Sequence, residues 1–270
     1  MPELPEVETI CRGIAAFVEN STLVQVVIRN PNLRWFVNNE LPYQVKGLTI
    51  RSVARRGKYI LLNSGVGSLI IHLGMSGSLR VLLDKQTIGK HDHFDLVFSD
   101  DVVIRFNDPR RFGALFWSEI PMAHPLLKRL GSEPLHPDFN GQWLFDRSRR
   151  RKFAVKQFIM DSQIVVGVGN IYANESLYKA RVLPTRPAND VSLLEYVTIV
   201  ASIREVLSQA IDLGGTTLRN FVNESGKPGY FKQQLNVYGR GGQPCYCCGQ
   251  KLVEQRLASR SSVFCLACQH

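Results

Sequence analysis

The chain has 270 residues, of which 44% are hydrophobic, a formal net charge of +10 and an isoelectric point near 9.5. This hydrophobic content excludes a disordered chain, and the lack of an apolar run of about 18 residues excludes a transmembrane helix. The basic balance indicates an anionic partner, and nucleic acid is favoured over a membrane because no basic amphipathic tail occurs. The acidic N-terminus does not resemble a secretory signal, so we expect a cytoplasmic protein.

The first residues after Met1 combine prolines with glutamates. Removal of Met1 would make the secondary amine of Pro2 the N-terminus. An α-amine has a pKa of about 7.7, against about 10.4 for lysine, so its neutral form is the more accessible nucleophile. Such an amine can attack an electrophilic carbon and form an iminium. Alternatively, the segment only starts a helix, with Pro5 in its first turn and Glu3 and Glu6 against the helix dipole.

Short β-branched segments separated by Gly, Asn and Asp follow this start. They predict strands at residues 23–28, 48–50, 59–62, 68–72, 78–82, 94–98 and 102–106. Their regular spacing favours a β-sandwich over residues 1–131. A segment with two prolines predicts a linker over residues 132–150.

Helical patterns then appear at residues 142–145, 152–160, 172–180 and 193–213. We therefore expect an α+β multidomain protein with a helical domain over residues 151–234 and a cysteine-rich unit over residues 235–270. Within the helical part, Gly167-Val168-Gly169-Asn170 stands at the start of a predicted helix. This turn is either a cradle for a phosphate or simply a capped helix start.

Five of the six cysteines lie in the last 26 residues. Two Cys-x2-Cys pairs separated by sixteen residues are typical of a four-cysteine structural zinc ribbon, so we expect one structural zinc per chain. Cys247 is excluded as a zinc ligand, because the pair Cys245 and Cys248 then has the same two-residue gap as the pair Cys265 and Cys268. The predicted ligands are Cys245, Cys248, Cys265 and Cys268. Between the pairs, Arg260 is either surface decoration or a phosphate contact.

Six motifs followed by this cysteine unit resemble, over essentially the whole length, the bacterial formamidopyrimidine-DNA glycosylases, which are base-excision repair enzymes for oxidised purines. The motifs are PELPEVET (2–9), RRGKY (55–59), HLGMSG (72–77), DPRRFG (108–113), VGNIYA (168–173) and KPGYF (227–231). The resemblance implies an N-terminal β-sandwich with flanking helices, a helix–two-turns–helix domain and a C-terminal zinc finger. One departure occurs, because Ser259 and Ser261 flank Arg260 where the family often has Gln and Thr.

The resemblance also implies roles for individual residues. Pro2 would be the Schiff-base nucleophile and Glu3 its acid/base partner. Lys58 would act in β-elimination and Arg260 in δ-elimination. A lesion must leave the duplex before its sugar is attacked, so other side chains must fill the gap. The residues that match this gap-filling role are Met75, Arg110 and Phe112.

Further positions match DNA contacts of the family. Asn170 and Arg260 would clamp phosphates beside the damaged nucleotide, and residues 147–152 form a basic run along the expected DNA path. Residues 221–233 resemble a lid over the everted base, and Thr216, Thr217 and the lid backbone would read the edge of that base. The full set of expected DNA contacts, in which His72 and Tyr238 are the weaker matches, is His72, Met75, His91, Arg110, Phe112, Arg151, Asn170, Tyr238 and Arg260.

These observations predict a monomeric, nucleoid-associated bacterial enzyme that excises 8-oxoguanine and formamidopyrimidines from double-stranded DNA and cleaves the strand by β,δ-elimination. One alternative is an endonuclease VIII-like glycosylase for oxidised pyrimidines, which shares the amine and the zinc ribbon. The purine branch is favoured by Leu4, by Met75 and Phe112, and by the Lys227-Pro228-Gly229 segment. The other alternative is a non-catalytic DNA-binding zinc protein, which retention of Met1 would produce.

Overall fold

The computed structural model of the protein describes residues 2–83, 86–214, 221–222 and 235–270. Contacts divide the chain into two compact units. The first contains the described residues of Met1–Lys128 and Leu213–Lys232, and the second those of Arg129–Asp212 and Gln233–His270. The expected domain boundaries at residues 131, 150 and 234 stay a prediction. None of the helices in the described ranges combines the length and apolar character needed to cross a membrane.

The first unit begins with a helix and continues mainly as strands. Its helices are α1 (Leu4–Val18), α2 (Leu41–Val45) and α3 (Pro125–Lys128). Its strands are β1 (Leu23–Ile28), β2 (Ser52–Arg56), β3 (Tyr59–Asn63), β4 (Ser68–His72), β5 (Ser78–Leu82), β6 (Asp92–Phe98), β7 (Val103–Asn107), β8 (Ala114–Ser118) and β9 (Phe221–Val222).

Two sheets share one apolar core in this unit. The first has the strand order β2-β3-β4-β8 and the second β1-β6-β7-β5-β9. Alternating side chains of both sheets meet the buried face of α1, as the strand period of two requires. The core includes Val7, Ile10, Ile14, Ile60, Ile71, Phe94, Leu96, Ile104 and Phe106. The predicted β-sandwich is confirmed, although residues 48–50 form only the isolated bridge Thr22–Thr49 instead of a strand.

The second unit is helical and ends in a hairpin. Its helices are α4 (Gly141–Ser148), α5 (Val155–Met160), α6 (Asn170–Lys179) and α7 (Leu193–Asp212), and its strands are β10 (Val253–Leu257) and β11 (Arg260–Phe264). α7 packs against α4 and α6, and β11 packs against α6. Fully buried aromatic residues such as Phe158, Tyr172 and Tyr196 fill this core, because they supply the largest apolar area per residue.

Some side chains of the basic run at residues 147–152 contact other residues of the second unit. The Arg149 guanidinium donates to the carbonyls of Asn189 at 2.7 Å and Val191 at 2.8 Å, and it lies 3.8 Å from the centre of the Phe145 ring. Arg147 stacks on Trp143 at 3.8 Å. Arg149 therefore stabilises the end of α4, and the expectation of a DNA-lining run rests on residues 150–152.

Candidate active site

Pro2 and Glu3 lie buried immediately before α1. A capping box holds this start: the Glu3 side chain accepts from the backbone of Glu6, and the Glu3 N–H donates to Glu6 Oε2 at 2.8 Å. These contacts satisfy two N–H groups that a helix start leaves without an intrahelical partner. Glu6 thus has the supporting position at the helix start, while the chain leads through Glu3 directly to the candidate amine of Pro2.

The turn that carries Lys58 is joined to α1 by one arginine. Arg55 Nε donates to Glu8 Oε2 at 3.0 Å, and Arg55 Nη1 donates to the Gly57 carbonyl at 2.9 Å. Gly57 has φ of +58°, a left-handed conformation that favours glycine in the tight β2–β3 turn. Arg55 therefore fixes the turn that bears the half-buried Lys58 relative to the helix that begins behind Pro2.

His72, at the end of β4, lies close to Lys58. Its Nδ1 accepts from the Gly74 N–H at 3.0 Å, which leaves the proton of the neutral ring on Nε2. Burial and, to a smaller extent, the neighbouring cations Lys58 and Arg34 lower the pKa of His72 to about 4. At neutral pH this imidazole is a neutral hydrogen-bond donor beside two cations.

The three candidate gap-filling residues lie around one open cavity. Met75 is 42% exposed and Phe112 37% exposed, and the Arg110 guanidinium lies 4.8 Å from the centre of the Phe112 ring. The cavity measures about 690 Å³, and Arg34 also lines it. Two large apolar side chains so exposed do not belong to the core. We call Met75, Arg110 and Phe112 the wedge residues.

His91 precedes β6 and lies beside the turn that bears Arg110. The His91 carbonyl accepts from the Asp108 N–H at 3.0 Å, and the turn continues directly to Arg110. The predicted residues of the first unit thus fall into two groups. The helix start and the β2–β3 turn form one group, and the wedge residues with His91 form the other.

In the second unit, Asn170 opens α6. The preceding Gly169 is the N-cap residue, and Gly167 has φ of +81°, a conformation that residues other than glycine rarely adopt. Asn170 Oδ1 is buried and makes no hydrogen bond within the described ranges. Because buried polar atoms are nearly always paired, this oxygen is available to accept a hydrogen bond from a donor outside these ranges.

Arg260 is the exposed first residue of β11. The turn before it consists of Ala258 and Ser259, with φ of 45° and 67°, as a two-residue hairpin turn requires. Arg260 pairs with Leu257 across this turn. Arg260 therefore lies at the tip of the β10–β11 hairpin. Arg151 is also exposed, in the turn after α4, and its guanidinium lies 6.0 Å from the centre of the Phe153 ring.

Two residues that the sequence analysis missed hold the strand of Arg260. Lys156 is 1% exposed, and its Nζ donates to the Ser261 carbonyl and to Ser262 Oγ, both at 2.7 Å. Asn174 Oδ1 accepts from the Val263 N–H at 2.8 Å, while Asn174 Nδ2 donates to the Asn170 carbonyl at 2.6 Å. Asn174 therefore connects the two proposed phosphate-binding positions, Asn170 and Arg260, through one side chain.

Tyr238 is positioned by a third missed residue, Glu175. This buried carboxylate accepts from the backbone N–H groups of Asn236, Val237 and Tyr238 at 2.9, 3.0 and 2.9 Å. No local motif marks Lys156 or Glu175, because their partners lie at least 61 residues away along the chain.

The four predicted zinc ligands lie together. Their Sγ atoms all lie within 4.8 Å of one another, with Cys245 and Cys268 at 3.9 Å and Cys248 and Cys265 at 3.4 Å. A tetrahedral ion with Zn–S bonds of about 2.3 Å separates its sulfurs by about 3.8 Å. This all-thiolate set therefore fits a structural zinc. Cys247 is exposed and is not part of the cluster.

Cys11, the only cysteine outside the C-terminal group, is buried in α1. Burial and, to a smaller extent, Glu8 raise the pKa of its thiol to about 12. The thiol is therefore not a candidate nucleophile. Met1, Thr216, Thr217 and residues 223–233 of the expected lid lie outside the described residues. Phe221–Val222 is described and pairs in parallel with β5.

Comparison with known proteins adds a family to this geometry. Residues 1–115 match the model of the formamidopyrimidine-DNA glycosylase N-terminal domain, and residues 130–222 match that of the H2TH domain of the same enzymes. The formamidopyrimidine-DNA glycosylases of Marinobacter nauticus and Hahella chejuensis are 54% and 53% identical, each over the full length of both chains.

Solved structures show the same similarity. The MutM (Fpg) protein of Thermus thermophilus is 38% identical with a TM-score of 0.87, covering 99% of this chain and 98% of that one. The Lactococcus lactis Fpg in complex with DNA that contains Fapy-dG is 30% identical with a TM-score of 0.89, covering 99% of each chain.

Proposed function

The chain belongs to the formamidopyrimidine-DNA glycosylase family, and from this premise we propose that it excises oxidised purines from double-stranded DNA and then cleaves the damaged strand. The relatives named above support the purine branch over the endonuclease VIII alternative. The formal charge of +10 supports a DNA partner, and the Lactococcus lactis relative was solved with DNA containing Fapy-dG.

The observation that carries the proposal is the arrangement around the N-terminal helix. Pro2 precedes α1, and Glu8 of α1 holds the Lys58 turn through Arg55. A helix start disfavours a positive charge, so it favours the neutral, nucleophilic form of an amine in front of it. The first unit therefore combines a candidate nucleophile, a carboxylate at Glu3 and a cation at Lys58.

In the proposed reaction, the Pro2 nitrogen forms a bond to C1′ of the damaged nucleotide and the bond from C1′ to the base breaks. Glu3 handles the proton that opening of the sugar ring requires. The resulting iminium withdraws electrons from C2′, so a proton leaves C2′ and the 3′ phosphate departs by β-elimination. Lys58 is the proposed phosphate anchor and proton donor of this step.

A second elimination releases the 5′ phosphate, with Arg260 as the proposed residue. Asn170 and Arg260 are the proposed clamp on the phosphates beside the lesion, and the position of Asn170 at the start of α6 supports this assignment, because a helix start offers N–H donors to an anion. His72, Arg151 and Tyr238 are proposed as further phosphate contacts. Displacing the lesion costs a few kcal/mol of stacking, which the wedge residues would offset by occupying the duplex, and His91 is proposed as a further DNA contact.

The four cysteines are proposed to hold one zinc ion. When bound, the ion closes the base of the hairpin and leaves no coordination position for chemistry. Its contribution to the reaction is thus to support the strand that presents Arg260.

Borohydride trapping tests the proposal. A duplex containing 8-oxoguanine opposite cytosine, incubated with protein and borohydride, should give a covalent adduct, and peptide mapping should place it on Pro2. The control is protein with a retained Met1, identified by intact mass, because its Pro2 nitrogen is then part of a peptide bond and is not nucleophilic. An adduct on Lys58, or no adduct with correctly processed protein, would contradict the proposed nucleophile and favour a non-catalytic DNA-binding protein.

A further inference from the structure

The wedge residues project from two loops that belong to no helix or strand. Met75 lies in the loop between β4 and β5, and Arg110 and Phe112 lie in the loop between β7 and β8. Loops without regular hydrogen bonds lose conformational freedom when they enter a partner, and that loss weakens binding. A wedge that is ordered before it meets DNA requires an interaction that holds both loops.

Asp108 makes this interaction. Its carboxylate is fully buried and accepts three hydrogen bonds: from Ser76 Oγ at 2.6 Å, from the Gly113 N–H at 2.8 Å and from the Arg110 N–H at 3.2 Å. Ser76 directly follows Met75. One carboxylate therefore joins the loop of Met75 to both ends of the segment that contains Arg110 and Phe112.

The contacts around Asp108 leave these loops little freedom. Gly74 has φ of +65°, and a Cβ placed on it would lie 2.4 Å from the Phe112 carbonyl carbon, so the two loops touch. The backbone of Asp108 is also held, because its carbonyl accepts from His93 Nε2 at 2.7 Å and its N–H donates to the His91 carbonyl. Burying a carboxylate costs free energy unless it is hydrogen-bonded, and the three donors named above satisfy the carboxylate of Asp108.

We infer that Asp108 is a positioning residue that orders the two wedge loops before they enter the duplex. This inference rests on the proposed function of the wedge residues. Asp108 is buried and does not touch DNA itself. It acts through Ser76 on Met75 and through two backbone N–H groups on Arg110 and Phe112. A wedge fills the gap that an everted base leaves opposite the partner strand. Loss of Asp108 should therefore reduce activity only on duplex substrates.

The test compares two substrates. The substitution Asp108→Asn keeps the shape of the side chain but replaces one acceptor oxygen by an NH2 group that faces a donor. We expect its kcat/KM for excision from an 8-oxoguanine duplex to fall by at least about 10-fold, the lower end of what a hydrogen bond to a charged group contributes. Cleavage of an abasic site in a single-stranded oligonucleotide should stay near the wild-type rate.

Ser76→Ala is a milder second variant, because it removes only the bond between the two loops. It should show the same preference for loss on the duplex, by a smaller factor. Asp101→Asn is the matched control, since Asp101 is exposed in the turn between β6 and β7 and its replacement should change neither rate.

Equal losses on both substrates, or full duplex activity in both the Asp108 and Ser76 variants, would overturn the positioning role. A wild-type protein that cleaves neither substrate would instead contradict the proposed function itself, so the two failures are distinguishable.

Discussion

At the scale of single residues, the candidate site depends on polar groups whose charge or partners are set by burial. His72 stays neutral beside Lys58, and Asn170 Oδ1 lacks a partner within the described ranges. The ammonium of Lys156 is buried in the second unit, where it donates hydrogen bonds. Each departs from the ordinary behaviour of its residue type, because desolvation penalises an unpaired charge or polar atom. Such departures are common at functional sites.

The buried His72 predicts a pH dependence of stability. The pKa of His72 in the folded protein is about 4, below its usual 6.5. As pH falls through 6.5, the unfolded chain binds a proton that the folded protein does not bind until about pH 4. The contribution of His72 to the free energy of unfolding should therefore be fully present above about pH 7. It should decrease between pH 6.5 and 4 by up to about 3 kcal/mol.

Chemical denaturation of His72→Gln and the wild type at several pH values measures this contribution. The variant should lose less stability than the wild type over the acidic range. His136→Gln is the matched control, because the His136 side chain is 60% exposed, and it should keep the wild-type profile. Parallel curves for His72→Gln and the wild type would show that the histidine does not contribute.

At the scale of elements, the β10–β11 hairpin is small and has little apolar core of its own. Its buried cluster consists of three cysteines with Val237, Leu252 and Val263, against which Tyr178 packs. Lys156 and Asn174 then attach β11 to the helices of the second unit. A hairpin of this size usually needs a metal to fold, so presentation of Arg260 should depend on zinc.

Metal removal tests this dependence. The wild type should contain one zinc ion per chain by elemental analysis. Cys268→Ser should lose it together with most DNA binding, because one missing thiolate opens the tetrahedral site. Cys247→Ser is the matched control and should keep the zinc, since Cys247 lies outside the cluster. Folded protein without metal, or zinc loss in Cys247→Ser, would contradict the assigned ligand set.

At the scale of the whole molecule, the excess of 33 lysines and arginines over 23 acidic residues makes the protein basic. Several of these cations already have partners within the protein. Arg105 forms a bidentate pair with Asp95, and Arg149 donates to backbone carbonyls. The net charge therefore overstates the number of phosphate contacts, and the salt dependence of binding measures the true number.

Three cationic phosphate contacts are proposed, at Lys58, Arg151 and Arg260. Their counterion release predicts that affinity for duplex DNA falls roughly 40-fold between about 50 and 200 mM salt. Arg151→Ala should reduce the slope of log affinity against log salt by about 1. Arg12→Ala removes the same charge from an exposed pair with Glu8 and should leave the slope unchanged. An affinity independent of salt would argue against all three contacts.

The sequence alone determined those features that depend on residues close together in the chain. The two Cys-x2-Cys pairs indicated the cluster that the structure brings together, and β-branched runs indicated most strands of the sandwich. Strand β2 was missed because Ser52–Arg56 carries polar and charged residues, half-buried, in place of an apolar alternation. The candidate amine at Pro2 followed from the first residues of the chain, whereas the wedge residues came from the resemblance, and the roles of both stay a proposal.

Only the tertiary structure decided which polar groups are buried and what they hold. The carboxylates of Asp108 and Glu175 and the ammonium of Lys156 look like ordinary surface charges in the sequence. Lys156 and Glu175 are buried against partners at least 61 residues away, and Asp108 binds Ser76 from another loop. The neutral state of His72 likewise arises from burial between strands. Desolvation and pairing depend on how distant segments pack, and local residue patterns carry no record of that packing.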